Sequence, residues 1–196
     1  MGLKIISGLA RGIMLDTPPD RSMRPTSGRS REALFSSLGD ISGKTFHDVF
    51  AGSGAMALEA ASRGAGAVVL LEGNERHSKF IEKNIAKLRK AGVECPIELV
   101  RKKFSVGALT IMGKADIWFF DPPYAESGKF LTELLNNTVV TDLFSGSLII
   151  WEMPDTTEDR VVFQQISNLH EVLDCRIRNL GGTDFLVGKV RDLKIV

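Results

Sequence analysis

An α/β domain on a mainly parallel, doubly wound sheet is what the sequence predicts, and three observations carry the prediction. Apolar strand-like runs alternate with helical patterns from residue 45 to residue 151, and such alternation implies right-handed crossovers and parallel pairing. A Gly52-Ser53-Gly54 turn joins one strand to the next helix. Acids and glycines cluster where strands end, at Asp48 to Gly54, at Glu72 and at Asp121 to Tyr124. In open sheets of this kind, ligands bind at that carboxyl edge, near the point where the strand order reverses.

Residues 4–8 and 11–15 read as two short strands around a Gly-containing turn, a small hairpin that must lean on the main body because a lone hairpin is marginal in water. Breaks follow at Thr17-Pro18-Pro19-Asp20 and at Arg24 to Gly28. Thr26 or Ser27 is a plausible N-cap for a helix running through residues 32–38, where Leu34, Phe35 and Leu38 share a face. Residues 45–50 form a strand, 55–63 an alanine-rich helix ended by glycines, and 67–71 an apolar strand closed by Glu72. Residues 76–91 have a helical period with Gly92 as the stop. A third strand spans 97–100, a loop or short helix 104–112, and a fourth strand 116–120. Beyond it come a helix at 129–135, a fifth strand at 147–151 and a short helix at 161–166. Two strands at 172–180 and 184–190 make an antiparallel hairpin around Gly181-Gly182. The expected division is a basic hairpin extension over 1–25 and a main domain over 26–196.

At 196 residues, the chain suffices for one domain with a sizeable core. A hydrophobic content of 43% and a charged content of 25% are ordinary for a soluble globular protein. No apolar run approaches the roughly 20 residues of a membrane helix, and Met1-Gly2-Leu3-Lys4 does not open a signal peptide. A cytoplasmic monomer without membrane contact is expected. Cys95 and Cys175 form no CxxC, and His47, His77 and His170 show no ligand spacing, so no metal site is expected. The net charge of +1 is uneven, with residues 1–31 carrying +4 and the remainder −3. A basic lead on a near-neutral body suits either a phosphate contact or a solvated arm.

The most informative stretch is Asp121-Pro122-Pro123-Tyr124, directly after the apolar run Ile117 to Phe120. Neither proline has an N–H for a sheet, so the strand must stop there. The result is a stiff turn with an acceptor side chain, an acceptor carbonyl and the chain's only tyrosine, a set suited to reading a flat base. Asp-Pro alone would be explained by an Asx-type strand end; the four-residue combination is more specific. Gly52 and Gly54 let the backbone approach a ligand closely, and Glu72, at the end of the next strand, suits a ribose diol. The alternative for Gly-x-Gly alone is tight helix–strand packing. No third glycine of the dinucleotide pattern and no Gly-Lys-Ser/Thr follow. Asp48 would repel a pyrophosphate but suits a ligand with a cationic amino-acid end, which points to S-adenosylmethionine and methyl transfer.

Taken together, Asp48-Val49-Phe50-Ala51-Gly52-Ser53-Gly54, Glu72 and Asp121-Pro122-Pro123-Tyr124 resemble the motifs of class I methyltransferases acting on exocyclic amino groups. Lys4 to Gly8, Arg11-Gly12, Arg24-Pro25-Thr26 and Arg29 to Phe35 narrow the resemblance to the RsmD family of bacterial 16S ribosomal RNA guanine-N2 methyltransferases. It spans residue 4 to about 190. The resemblance implies a Rossmann-like seven-stranded sheet and S-adenosylmethionine as cofactor, held by Asp48, Phe50, Ala51, Gly52, Gly54, Glu72, Gly73, Phe104 and Asp121. Phe104 would flank the adenine. The base would be handled by Asp121, the Pro122 carbonyl and a stacking Tyr124, and would have to leave its stack to be reached. Arg11, Arg24, Arg29 and Arg31 are the candidates for RNA phosphates, although Arg31 could instead pair with an acid of the domain. The partner would be 16S rRNA or the small ribosomal subunit. Glu152, at the end of the fifth strand, could touch substrate but reads first as a solvated strand end. Two other readings stay open: a DNA adenine-N6 or other nucleic-acid amino methyltransferase with the same motif, and a cofactor-binding ribosome assembly factor without turnover.

Overall fold

The computed structural model describes residues 2–18, 26–154 and 173–191. Its elements are α1 (Gly28–Leu38), β1 (Thr45–Val49), α2 (Ala55–Ser62), β2 (Ala67–Leu71), α3 (Glu75–Lys90), β3 (Ile97–Val100), α4 (Val106–Met112), β4 (Ile117–Phe120), α5 (Ser127–Leu135), α6 (Thr138–Leu143), β5 (Leu148–Glu152), β6 (Leu173–Leu180) and β7 (Thr183–Val190), with a 3-10 turn at Tyr124–Glu126. Among the described residues the strands form one seven-stranded sheet in the order β3-β2-β1-β4-β5-β7-β6. Pairing is parallel from β3 to β5 and antiparallel for β7 with both its neighbours. The expected doubly wound sheet with its closing hairpin is what forms. The predicted helix at 161–166 and Arg24 lie outside the described residues.

Strand alternation sorts the core into two layers, because successive side chains leave opposite faces. On β4, Ile117 and Phe119 join Phe46, Leu70 and Ile150 beneath α1, α2 and α3. Trp118 and Phe120 point the other way, with Val49, Leu71 and Trp151, beneath α4 and α5. The same parity places Asp48, Glu72, Asp121 and Glu152, each two residues beyond a member of the first layer, on the α1–α3 side of the carboxyl edge.

Several boundaries differ from those expected. The first helix starts at Gly28, where Ser27, one of the two candidate caps, accepts from the Ser30 N–H. Residues 106–112 are helical, capped by Ser105, whose side chain accepts from the Ala108 N–H. The helix α6 had not been expected. β1 stops one residue early because Phe50 turns to φ +69, a conformation that L side chains rarely adopt and that is concentrated at functional turns.

The lead segment is a hairpin-like loop with a single antiparallel bridge, Lys4↔Met14, and it is stitched into the domain. Ile5, Ala10 and Leu15 belong to the first core layer. Glu59 of α2 accepts from the Ile6 N–H at 2.8 Å and the Ser7 N–H at 3.0 Å. Asn84 of α3 accepts from the Asp16 N–H at 2.7 Å and returns a bond to the Asp16 carbonyl at 2.9 Å. No helix of the described residues is long and apolar enough to cross a membrane.

Candidate active site at the switch in strand order

Chain direction turns outward in both senses between β1 and β4, which are neighbours although two strands separate them in sequence. The turns after these two strands therefore diverge to opposite sides of a crevice. A cavity of about 380 Å³ opens there, lined by Asp48, Phe50, Ala51, Gly52, Glu72 and Gly73 on one side and by Asp121, Pro122, Pro123 and Tyr124 on the other. Tyr124 stays 42% exposed, so its ring stands at the mouth rather than in the core.

Each wall has a local cause. Gly54 sits at φ +77 at the N-terminus of α2, where a Cβ would come within 3.0 Å of Leu70 Cδ2; the turn can be this tight only without a side chain. Asp48 is 2% exposed, and its Oδ2 accepts from the Ala57 N–H at 3.1 Å in the first turn of α2. Burial pushes its pKa up to about 7, opposed by the Ala57 bond and reinforced by Glu72. Glu72 Oε2 accepts from the Gly52 N–H and Oε1 from the Asn74 N–H, both at 2.7 Å, so the acid closes the glycine turn while keeping lone pairs for a ligand. Asn74 in turn caps α3.

Asp121 follows β4, and its N–H reaches the Val49 carbonyl at 3.4 Å. Its pKa lies well above the usual carboxylate range, because of burial first, then Glu152, then Asp48. Glu152 is 5% exposed and accepts from Thr26 Oγ1 at 2.6 Å. The expectation of a solvated strand end is therefore wrong: β7 pairs along β5 as far as Glu152, and Thr26 covers its carboxylate.

The cavity gathers most of the cofactor set expected from sequence, but not all of it. Gly54 shapes the turn from behind and does not line the space. Phe104 does not line it either; it stacks on Phe50 at 4.9 Å and meets Phe130 at 4.7 Å, behind the Phe50 that forms the wall. Arg11 and Arg29 are exposed, whereas Arg31 is 1% exposed and is not available to RNA phosphates. Its Nη2 donates to the Lys4 carbonyl at 2.8 Å, and its Nη1 lies 3.7 Å from Glu59. Burial lowers its pKa, Glu59 raises it and Arg63 lowers it.

Thr26, Met56 and His77 also line the cavity. Sequence offered only a weak signal for two of them: Thr26 as a candidate cap and part of the Arg24-Pro25-Thr26 motif, and His77 as a histidine without ligand spacing inside a helical pattern. Among the described residues Arg31 Nε and Nη1 and His77 Nε2 are buried without a hydrogen-bond partner. Such atoms are costly to leave unmet. Here they line a cavity that also presents the buried acids Asp48 and Glu72. That donor set fits a ligand carrying a carboxylate for Arg31, an ammonium for Asp48, and a hydroxyl pair for Glu72 and His77.

Fold and site together define a Rossmann-like α/β domain of the class I methyltransferase type with a nucleoside-sized crevice at the strand switch. The family model described as "Conserved hypothetical protein 95" matches residues 3–183, and the chain belongs to that family. It is 35% identical over 136 residues to the Escherichia coli (strain K12) "Ribosomal RNA small subunit methyltransferase D", an alignment covering 68% of this chain and 65% of that protein. The chain thus spans about two thirds of that relative's length. It is 27% identical over 208 residues to "Uncharacterized methylase RP545" of Rickettsia prowazekii (strain Madrid E), covering 80% of this chain and 87% of that protein. The solved structure of yhhF from Escherichia coli superposes with a TM-score of 0.67 at 28% identity, over 96% of this chain and 98% of that one. These matches bear out the kinship with the RsmD family expected from sequence.

Proposed function

We propose that this protein is an S-adenosylmethionine-dependent methyltransferase acting on the exocyclic N2 of a guanine in 16S rRNA of the small ribosomal subunit, and that it works as a cytoplasmic monomer. One observation carries the reading: the glycine turn with its acids and the Asp121-to-Tyr124 turn open into a single cavity, with Tyr124 at its mouth. The name of the Escherichia coli relative supports the rRNA substrate.

Bound there, S-adenosylmethionine supplies an electrophilic methyl on a positively charged sulfur. Asp48 holds the ammonium and the unpaired edge of Arg31 the carboxylate, while Glu72 and His77 hold the ribose. The residues beyond β4 handle the base. The guanine N2 lone pair is delocalised into the ring and is a poor nucleophile. The Asp121 carboxylate and the Pro122 carbonyl accept its protons, which raises electron density on nitrogen and fixes its direction of attack. Orientation and local charge of this kind contribute several kcal/mol to a barrier. Tyr124 stacks on a base drawn from a loop or out of a helix, the usual objects of sequence reading in RNA. Arg11 and Arg29 contact phosphates around it.

The deciding experiment incubates the protein with labelled S-adenosylmethionine and 16S rRNA, small subunits or DNA, then identifies the modified nucleoside. Label in N2-methylguanosine is the expected result. Label in N6-methyladenine would replace this reading with the DNA or adenine one, and no label on any substrate would leave a binding factor. Asp121→Ala should lower the transfer rate about 10²–10³-fold with cofactor affinity within a few-fold of wild type.

A further inference from the structure

Glu152 has no part in the chemistry above, yet it lies beside its centre. β4 and β5 are parallel with Phe120 opposite Trp151, so the next residues, Asp121 and Glu152, are neighbours on the α1 face of the sheet. Glu152 is held by Thr26 Oγ1 at 2.6 Å, and Thr26 lines the same cavity as Asp121. The titratable and charged groups around Asp121 are Glu152 from β5, Asp48 from β1 and Glu72 beyond β2, with Arg31 of α1 and His77 of α3 on the cavity wall. Arg31 is engaged with Lys4 and Glu59, and its remaining edge is assigned to the cofactor carboxylate, so the acids dominate.

We propose that Glu152, anchored by Thr26, is a positioning residue that makes Asp121 the acceptor of the proton released when the base nitrogen is methylated. The proposal rests on the methyltransferase reading and adds a proton path to it. The base nitrogen forms its new bond to the methyl carbon with its lone pair, the carbon–sulfur pair stays on sulfur, and the surplus N–H proton passes to an Asp121 oxygen. Charge balance sets the timing. Asp121 is held ionised while a positive sulfur shares the cavity. Once that charge is spent, Asp121 stands in a part-buried space beside Glu152 and Asp48, and like charges at such range favour uptake of a proton. The Thr26 hydroxyl donates to Glu152 and so stabilises that carboxylate as the charged partner, which leaves the proton to Asp121. The raised proton affinity of Asp121, caused by burial first and by Glu152 next, agrees with this arrangement.

The test uses Glu152→Gln, Thr26→Val, Thr26→Ser and Asp121→Asn in the full chain, with two readouts. Single-turnover methyl transfer to small subunits is followed against pH. Protons exchanged on binding S-adenosylmethionine or S-adenosylhomocysteine are counted calorimetrically in buffers of different ionisation heat. In wild type the rate falls on the acid side as Asp121 protonates, and the sulfonium form releases more protons on binding than the thioether. Glu152→Gln should move the acid limb down by about one pH unit, tenfold in proton concentration, and shrink the difference in proton release. Thr26→Val should move the limb the same way by less, and Thr26→Ser should restore it. A limb that stays in place in Glu152→Gln, or a proton count the substitution does not change, overturns the proposal. Asp121→Asn transferring methyl at the wild-type rate would instead overturn the reading beneath it.

Discussion

Glu59, Asp48, Glu72 and Glu152 are buried carboxylates and Asp121 is part-buried, and the surroundings of Glu59 are opposite to those of the others. Glu59, at 0% exposure, accepts from two backbone N–H groups and from Arg63 Nε at 2.8 Å, with Arg31 3.7 Å away. Donors and positive charge surround it, and it clasps the lead segment to α2. Among the described residues Asp48 has one protein donor, the Ala57 N–H, and Glu72 as a like-charged neighbour. Asp121 faces Glu152 and Asp48. A buried charge that is fully met serves the fold; buried charges set against one another wait for a ligand that brings the missing positive charge.

The sharpest way to break this contrast is Glu59→Ala. It leaves Arg31 and Arg63 without their carboxylate and unclasps residues 6 and 7, so the unfolding free energy should drop by about 3–5 kcal/mol, read by urea unfolding. If instead methyl transfer fell with stability intact, Glu59 would belong with the cavity acids.

Asp48→Asn tests the other side. With a folded pKa of about 7 against an ordinary 3.8, Asp48 binds its proton more tightly when folded. Its stabilising contribution is therefore full below pH ~4 and is lost as pH rises through about 7, by up to about 4 kcal/mol. Cofactor-free wild type should be more stable at pH 5 than at pH 8, and Asp48→Asn should flatten that slope while weakening cofactor binding. An unchanged slope would mean that Asp48 is met as well as Glu59 is.

Smaller effects sharpen the contrast at the surface. Tyr124→Ala should weaken apparent RNA affinity by about 1–3 kcal/mol, with Tyr124→Phe near wild type, since the ring and not the hydroxyl stacks. Arg11→Ala and Arg29→Ala should each reduce the salt dependence of RNA binding by roughly one phosphate contact, seen as a shallower slope of log affinity against log salt. Arg31→Lys should leave that slope unchanged and raise the cofactor's dissociation constant, which separates the buried arginine from the two exposed ones.

The strand–helix alternation made the sheet legible, and the Gly-x-Gly and Asp-Pro-Pro-Tyr turns marked its carboxyl edge. Those signals are local: glycine where the chain turns tightly, proline where a strand must stop. Even the shared face of Asp48, Glu72, Asp121 and Glu152 is written in strand parity, although it becomes visible only once β1, β2, β4 and β5 are known to be in register. Sequence left Arg31 open between an RNA phosphate and an acid of the domain, because a charged residue at the edge of a helical face looks the same in either case; the fold gives it Glu59. Glu59 itself, a single acid within the alanine-rich α2, was the overlooked hint.

From its own residues the chain dictated which segments are strands, where the backbone must bend and which turn sets an acid between a strand and two prolines, because each depends on neighbours a few positions away. Which charges are satisfied and which are left in tension depended on partners brought from distant parts of the chain. Thr26 meets Glu152, Lys4 and Glu59 take Arg31, and Ile6 and Ser7 close on Glu59. Only packing supplies those partners, since burial and pairing are properties of the assembled fold.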